Sequence, residues 1–87
     1  MKYDLEISES AEKFLEKVPK KDRSKIIEKI DILADDPMPS GSIKLHGHKH
    51  ALYRIRCGDY RVIYSIKKDK LVVLVVDIGH RREVYRY

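Results

Sequence analysis

The segment Leu52-Tyr-Arg-Ile-Arg-Cys-Gly-Asp-Tyr-Arg-Val-Ile-Tyr-Ser-Ile-Lys67 predicts two strands joined by a tight turn. Gly58 and Asp59 separate the two halves, and glycine at the first central position favours a type II′ hairpin turn. A two-residue turn of this kind places Cys57 opposite Tyr60 and Arg56 opposite Arg61. The turn therefore predicts the register of an antiparallel hairpin.

This register gives the predicted hairpin an apolar face and a basic face. The apolar face, which suits packing against helices, carries Tyr53, Ile55, Cys57, Tyr60, Val62 and Tyr64. The other face carries Leu52, Arg54, Arg56, Arg61, Ile63 and Ser65. Directly opposed like charges destabilise a sheet, so stability alone does not explain three arginines there. We interpret them as phosphate ligands, because a guanidinium matches phosphate oxygens; a solvated face is the alternative.

The segments flanking the hairpin predict the rest of the sheet. Leu71–Ile78 is apolar over its first six positions, which predicts a central strand buried on both faces. Lys2 to Ile7 alternates between polar and apolar residues, which predicts a half-buried first strand. Residues 37–50 contain prolines and glycines and predict an irregular connection.

Two amphipathic helices are predicted between the first strand and this connection. The first has Ser8 or Ser10 as its N-cap and ends at Pro19, and the second runs from about Lys21 to Asp36. Their apolar positions are Ala11, Phe14, Leu15 and Val18 in the first helix, and Ile26, Ile27, Ile30, Leu33 and Ala34 in the second. The order βααβββ predicts a single α+β domain over residues 1–87, with two N-terminal helices packed on a mainly antiparallel sheet.

Composition limits the classes of partner and compartment. The 87 residues carry a net charge of +5, which favours a polyanionic partner such as nucleic acid or an acidic protein. Cys57 is the one cysteine of the sequence, so an internal disulfide cannot form. Cys57 itself is interpreted as a buried hydrophobe. The longest apolar run, from Leu71 to Val76, is far shorter than the ~20 residues that span a bilayer. We therefore expect a cytoplasmic protein with no membrane partner.

The C-terminal segment Gly79-His80-Arg81-Arg82-Glu83-Val84-Tyr85 carries groups suited to RNA cleavage. We expect Gly79 to turn the backbone, so that the side chains after it project from a sheet end. Histidine can act as acid or base, arginine can stabilise charge on a phosphorane, and tyrosine needs a perturbed environment to act as base. Structural roles are the alternative, with His80 bonded to a carbonyl and the arginines solvated or paired with Glu83.

Several motifs together resemble the RelE family of toxin–antitoxin ribonucleases over nearly the whole chain. They are Leu45-x-Gly47, Leu52-Tyr-Arg-Ile-Arg56, Gly58-Asp-Tyr-Arg-Val-Ile-Tyr64 and Val76-Asp-Ile-Gly-His-Arg-Arg-Glu-Val-Tyr-Arg86. The resemblance implies a microbial-RNase-like fold and a type II toxin that cleaves mRNA in the ribosomal aminoacyl site without a metal or other cofactor. It also implies neutralisation by a RelB-like antitoxin, through which the complex can bind operator DNA.

The resemblance also implies roles for individual residues. Arg61 falls on the family's phosphate-binding arginine, Arg81 on the arginine that aids the leaving group, and Tyr85 on the functional C-terminal tyrosine. Arg54 and Arg56 fall where the best-studied branch has two lysines, one of them implicated in activating the 2′-hydroxyl. Because arginine is a poor general base, we assign that role to His80 or Tyr85 as a hypothesis. Lys44 and Arg82 complete the predicted phosphate-binding set.

Two other functions fit the same residues. One is a ParE-like toxin of the same superfamily, which binds DNA gyrase and does not cut RNA. The other is a non-catalytic module that binds nucleic acid or a protein partner through its arginines. The alternating His46, His48 and His50 could recruit a transition metal, but Gly47 makes their segment flexible, so we expect them to line a loop and predict no metal site.

Overall fold

The computed structural model describes residues 2–47 and 51–81, which form two helices and a five-stranded sheet. The elements are β1 (Asp4–Ile7), α1 (Glu9–Lys17), α2 (Lys20–Asp35), β2 (Ile43–Leu45), β3 (Leu52–Cys57), β4 (Tyr60–Lys67) and β5 (Val72–His80). The predicted α+β class is confirmed. The predicted order lacks β2, because this short strand lies in the connection that we expected to be irregular. Within the described residues, neither helix is long and apolar enough to cross a membrane.

The sheet is mainly antiparallel and has the strand order β1-β5-β4-β3-β2. Strands β3 and β4 form the predicted hairpin, with Cys57 opposite Tyr60 and Arg56 opposite Arg61. Gly58 has a φ of +57°, and Asp59 is not among the described residues with positive φ, as a type II′ turn requires. The register prediction is therefore confirmed. β1 adds to the sheet in parallel with β5.

Both helices pack on one face of the sheet and enclose the core. The core joins the helices to the apolar face of the hairpin, and its buried members are Ala11, Leu15, Val18, Ile26, Ile30, Leu33, Ile55, Cys57, Val62, Tyr64, Val73, Val75 and Ile78. One predicted core position is wrong, because the side chain of Ile27 is 42% exposed. The arginine face of the hairpin is the opposite face of the sheet.

β5 contains a bulge that reverses its side-chain alternation. Tyr64 pairs with Val75 but Ile63 pairs with Asp77, so Val76 is an extra residue between the two pairs. β5 is a central strand, as predicted, but only one of its faces is fully buried, because Val73, Val75 and Ile78 are buried whereas Leu74 and Val76 are only partly buried. The turn predicted at Gly79 is also wrong, because β5 continues through His80 and Gly79 lies opposite Arg61.

Ser8 connects the start of α1 to this bulge. Its hydroxyl donates a 2.6 Å hydrogen bond to the Val76 carbonyl and accepts one from the Ala11 N–H, at 3.2 Å, as the helix N-cap. The Ser8 N–H also donates to the Val75 carbonyl at 2.9 Å. One side chain therefore caps a helix and satisfies the carbonyl of the bulged residue.

Ser8→Ala should lower the free energy of unfolding by about 1–2 kcal/mol, because it removes an N-cap and a hydrogen bond to the bulge. Urea denaturation measures this change. Ser24→Ala is the matched control, since the Ser24 hydroxyl donates to the Lys20 carbonyl on an exposed face of α2, and its loss should cost less than about 0.5 kcal/mol. Equal losses in the two variants would contradict the role given to Ser8.

Tyr64 is the largest fully buried side chain of the core. Its hydroxyl donates a 2.7 Å hydrogen bond to the Pro37 carbonyl, which ties β4 to the segment after α2. Its ring stacks on Tyr53 of the neighbouring strand at a centroid distance of 5.7 Å. Burial disfavours the charged phenolate and raises the pKa of Tyr64 from 10.0 to about 12.

The raised pKa of Tyr64 predicts a loss of stability at alkaline pH. The folded state binds this proton more tightly than the unfolded state, so its contribution is complete below pH 10 and is lost between pH 10 and about 12. The loss should approach about 1.4 kcal/mol per pH unit within that window. Urea denaturation across the window should show a shallower decline for Tyr64→Phe, which cannot ionise; parallel declines would contradict the assignment.

Candidate active site

Three arginines lie on the sheet face that is turned away from the helices. Arg56 and Arg61 are directly opposed across β3 and β4. Arg54 lies two residues before Arg56 on β3, so its side chain is on the same face. Side chains that are directly opposed on one face have Cβ atoms about 4.5–5.5 Å apart. The hairpin therefore gathers the predicted phosphate ligands Arg54, Arg56 and Arg61 into one cluster, here called the arginine face.

The arginine face is not a simple solvated surface. Arg56 is exposed, but Arg54 and Arg61 are partly buried and the Nε atom of each is shielded from solvent. Ile63, which lies between them on the same face, is only 1% exposed. Side chains packed in this way have few rotamers, so Arg54 and Arg61 present their guanidiniums in restricted orientations. Such restriction favours a defined anion site over diffuse electrostatic attraction.

Arg81 follows β5 and lies at the tip of the hairpin. Its N–H donates to the Asp59 carbonyl at 2.6 Å, and its Nε lies 3.4 Å from Asp59 Oδ1. Both side chains are about 60% exposed, so this ion pair contributes little to stability and can yield to a stronger anion. Arg81 is therefore held next to the turn that precedes Arg61. Arg82 and Tyr85, the other predicted site residues of this segment, lie outside the described residues.

His80 lies on the helix side of the sheet and not on the arginine face. It pairs with Tyr60 across β4 and β5, and the two rings meet edge to face at a centroid distance of 5.4 Å. Tyr60 in turn contacts Phe14 of α1, and its hydroxyl donates a 3.4 Å hydrogen bond to Asp22. Partial burial and the Asp22 carboxylate raise the pKa of Tyr60. The sheet therefore separates His80 from the arginines it was expected to assist.

Lys44 is also placed away from the arginine face. It pairs with Tyr53 across β2 and β3, and Tyr53 belongs to the helix side.

Of the three alternating histidines, His46 is described and exposed, whereas His48 and His50 lie outside the described residues. Residues 2–47 and 51–81 contain no group of three or more metal-ligating side chains.

Two further residues with ionisable side chains, Asp77 and Cys57, lie on or beside the hairpin. Asp77, which the sequence analysis did not select, lies opposite Ile63 and so shares a face with Arg54 and Arg61. Its Oδ1 accepts a 2.9 Å hydrogen bond from the Ile78 N–H. Cys57 is 8% exposed within the core, and burial raises the pKa of its thiol. The interpretation of Cys57 as a buried hydrophobe is confirmed.

The arrangement of two helices on one face of a five-stranded sheet, with arginines on the other face, is similar to that of known proteins. A family model described as ParE toxin of type II toxin-antitoxin system, parDE, matches residues 5–85. A curated protein of Methanocaldococcus jannaschii, named as a candidate RelE1 toxin, is 28% identical over 88 residues, which cover 99% of this chain and 98% of that protein.

Solved structures give the same family. A chain of the archaeal RelE–RelB complex from Pyrococcus horikoshii OT3 is 35% identical with a TM-score of 0.83, over 97% of this chain and 100% of that chain. A chain of the intact E. coli RelBE toxin–antitoxin complex is 28% identical with a TM-score of 0.77, over 93% and 99% of the two chains. The chain therefore belongs to the RelE/ParE superfamily of type II toxins, as a toxin of the RelE type.

The opposed arginines predict a gain in stability when one charge is reversed. Arg56→Glu converts a like-charge pair with Arg61 into an opposite-charge pair, which should raise the free energy of unfolding by about 0.5 kcal/mol in urea denaturation. Lys67→Glu is the matched control, because Lys67 lies opposite the uncharged Val72 and should gain nothing comparable. A destabilised Arg56→Glu protein would contradict electrostatic conflict on this face.

Proposed function

We propose that this toxin is a ribosome-dependent, metal-independent endoribonuclease that cleaves mRNA and thereby inhibits translation. The observation that carries the proposal is the arginine face, where exposed Arg56 lies opposite partly buried Arg61, with partly buried Arg54 beside them, on the side of the sheet turned away from the helices. This arrangement costs stability and fits a polyanion. Similarity to RelE toxins over almost the whole chain also supports it.

The arginine face would act on the scissile phosphate. Arg54 and Arg61 would bind its oxygens, and Arg56 would add charge as the phosphorane forms, since fixed cations stabilise developing negative charge. Arg81 would leave its ion pair with Asp59 and stabilise the charge on the departing 5′-oxygen, because an exposed ion pair is weak. Tyr85 and Arg82 keep their predicted roles, Tyr85 as a proton-transfer group and Arg82 as a phosphate ligand.

We further propose an antitoxin partner of the RelB kind, as in the RelE–RelB and RelBE complexes. A cavity of about 460 Å³ opens between α2 and the β2–β3 edge. Ile32 and Ile43, both about half exposed, line it, and Lys29 and Arg56 add positive charge. This surface fits an amphipathic acidic segment, whose carboxylates would also neutralise Arg56. DNA binding by the complex would belong to the antitoxin.

The proposed substrate also determines the compartment in which the toxin acts. Ribosomes and mRNA lie in the cytoplasm, where we place the toxin. Residues 1–87 would act as one toxin domain, because the arginine face and the helices that support its sheet share a core.

Primer extension on a defined mRNA, with and without stalled ribosomes, tests the proposal. The wild-type toxin should produce new ends within the aminoacyl-site codon, and Arg61→Ala/Arg81→Ala should slow single-turnover cleavage by about 100-fold or more, because phosphate and leaving-group stabilisation are lost. Lys21→Ala, which removes one exposed charge from α2, is the control and should cut at the wild-type rate. Cleavage that survives in the double variant would argue against the arginine face.

Gyrase poisoning is the second candidate, because the matching family model is described as a ParE toxin. A supercoiling assay with purified DNA gyrase distinguishes the two functions. The nuclease proposal expects no inhibition of supercoiling. Inhibition by the wild-type toxin, with no cleavage on any programmed codon, would favour gyrase binding instead.

A further inference from the structure

We propose that Asp77 is the proton acceptor that activates the 2′-hydroxyl, an assignment that rests on the proposed RNA cleavage. Asp77 lies in one row of side chains that crosses the arginine face, in the order Arg54, Ile63, Asp77. Arg61 is its diagonal neighbour on β4, at about 7–8 Å between backbone positions, which is within reach of a long side chain. The carboxylate and the guanidiniums therefore flank one region of the sheet surface.

Among the residues that the structure describes, the other candidates for a proton acceptor are less well placed. Guanidinium groups carry no acceptor and do not give up a proton. His80 lies on the opposite side of the sheet, against Tyr60. Asp59 contacts Arg81 at the hairpin tip, and Glu6 of β1 lies opposite Leu74, in a different row. Within residues 2–47 and 51–81, Asp77 is the carboxylate that shares a row with an arginine of this face.

The bulge at Val76 is what brings Asp77 to this face. If the pairing of Tyr64 with Val75 continued without interruption, Val76 would lie opposite Ile63 and Asp77 would lie opposite Val62, inside the core. The bulge shifts the register by one residue and turns Asp77 outward. Bulges commonly redirect a side chain beside an active site, and this one is anchored by the Ser8 hydroxyl at 2.6 Å.

The carboxylate is also oriented. Asp77 Oδ1 accepts from the Ile78 N–H at 2.9 Å, and the side chain is partly buried, which limits its rotation. A proton acceptor held in this way needs little reorganisation when the substrate hydroxyl arrives.

The step balances without a metal or a redox partner. The Asp77 carboxylate takes the proton from the 2′-hydroxyl, and the 2′-oxygen forms a bond to phosphorus while the bond from phosphorus to the 5′-oxygen breaks. The products are a 2′,3′-cyclic phosphate and a 5′-hydroxyl. The departing oxygen takes its proton from solvent water or from a neighbouring acid, and Asp77 returns its proton to solvent. Arg54 and Arg61 stabilise the charge on the phosphorane.

Asp77→Asn tests the assignment, because asparagine keeps the shape and the Oδ1 acceptor for Ile78 but cannot take the proton. Single-turnover cleavage on programmed ribosomes should fall by about 100-fold or more. Ribosome affinity and Tm should stay near wild type. Asp77→Glu, which restores a carboxylate, should recover most of the rate. Asp31→Asn removes an exposed carboxylate from α2 and should have no effect.

Chemical rescue separates proton transfer from a structural role. Added formate should restore part of the rate of Asp77→Ala and leave Asp31→Ala unchanged, because formate can replace a missing carboxylate only where one takes a proton. A wild-type rate in Asp77→Asn would overturn the assignment and leave the nuclease proposal intact. A loss in Asp77→Ala that formate does not restore would overturn it as well. A wild-type toxin that cuts no programmed codon would overturn both proposals.

Discussion

The hydrogen bond from the Ser8 hydroxyl to the Val76 carbonyl fixes the one irregularity on which both faces of the sheet depend. The bulge at Val76 decides which side chains of β5 point to the helices and which point away. Beyond it, Ile78 enters the core and His80 reaches Tyr60, while Asp77 joins the arginines. A regular β5 would exchange these positions and would bury a carboxylate among apolar side chains, which is costly. The core and the candidate active site are thus specified by the same local feature.

The hairpin was predictable from the sequence because its signals are local. Gly58 and Asp59 determine the turn type, and clear alternation on both sides then determines which residues are directly opposed. The helices were predictable for the same reason, since apolar spacing marks both of them and Ser8 and Pro19 bound the first. Ile27 was misassigned because an apolar residue at the margin of a helical stripe can lie outside the contact area, and only packing decides this.

Features that depend on tertiary contact were not predictable. The run Val72-Val-Leu-Val-Val76 has no alternation, so it gives no sign of where a bulge falls, and the faces of Asp77 and His80 could not be read beyond it. The short β2 has no periodic signal of its own and exists through its pairing with β3. Arg54, Arg56 and Arg61 were found because the two hairpin strands that carry them have a strong pattern and a recognisable turn. Asp77 was missed because its strand carries none.

The hydrogen bond between Ser8 and Val76 also affects when the protein can fold during its synthesis. Its two residues are 68 positions apart, so during translation Ser8 leaves the exit tunnel long before its partner is made. Strand β1 likewise cannot join the sheet before β5 is made, since β5 is its partner among the described strands. Until then the nascent chain can form helices and a hairpin but cannot set the register that assembles both faces. For a toxin proposed to attack ribosomes, this chain order delays assembly of the candidate active site until β5 has been synthesised.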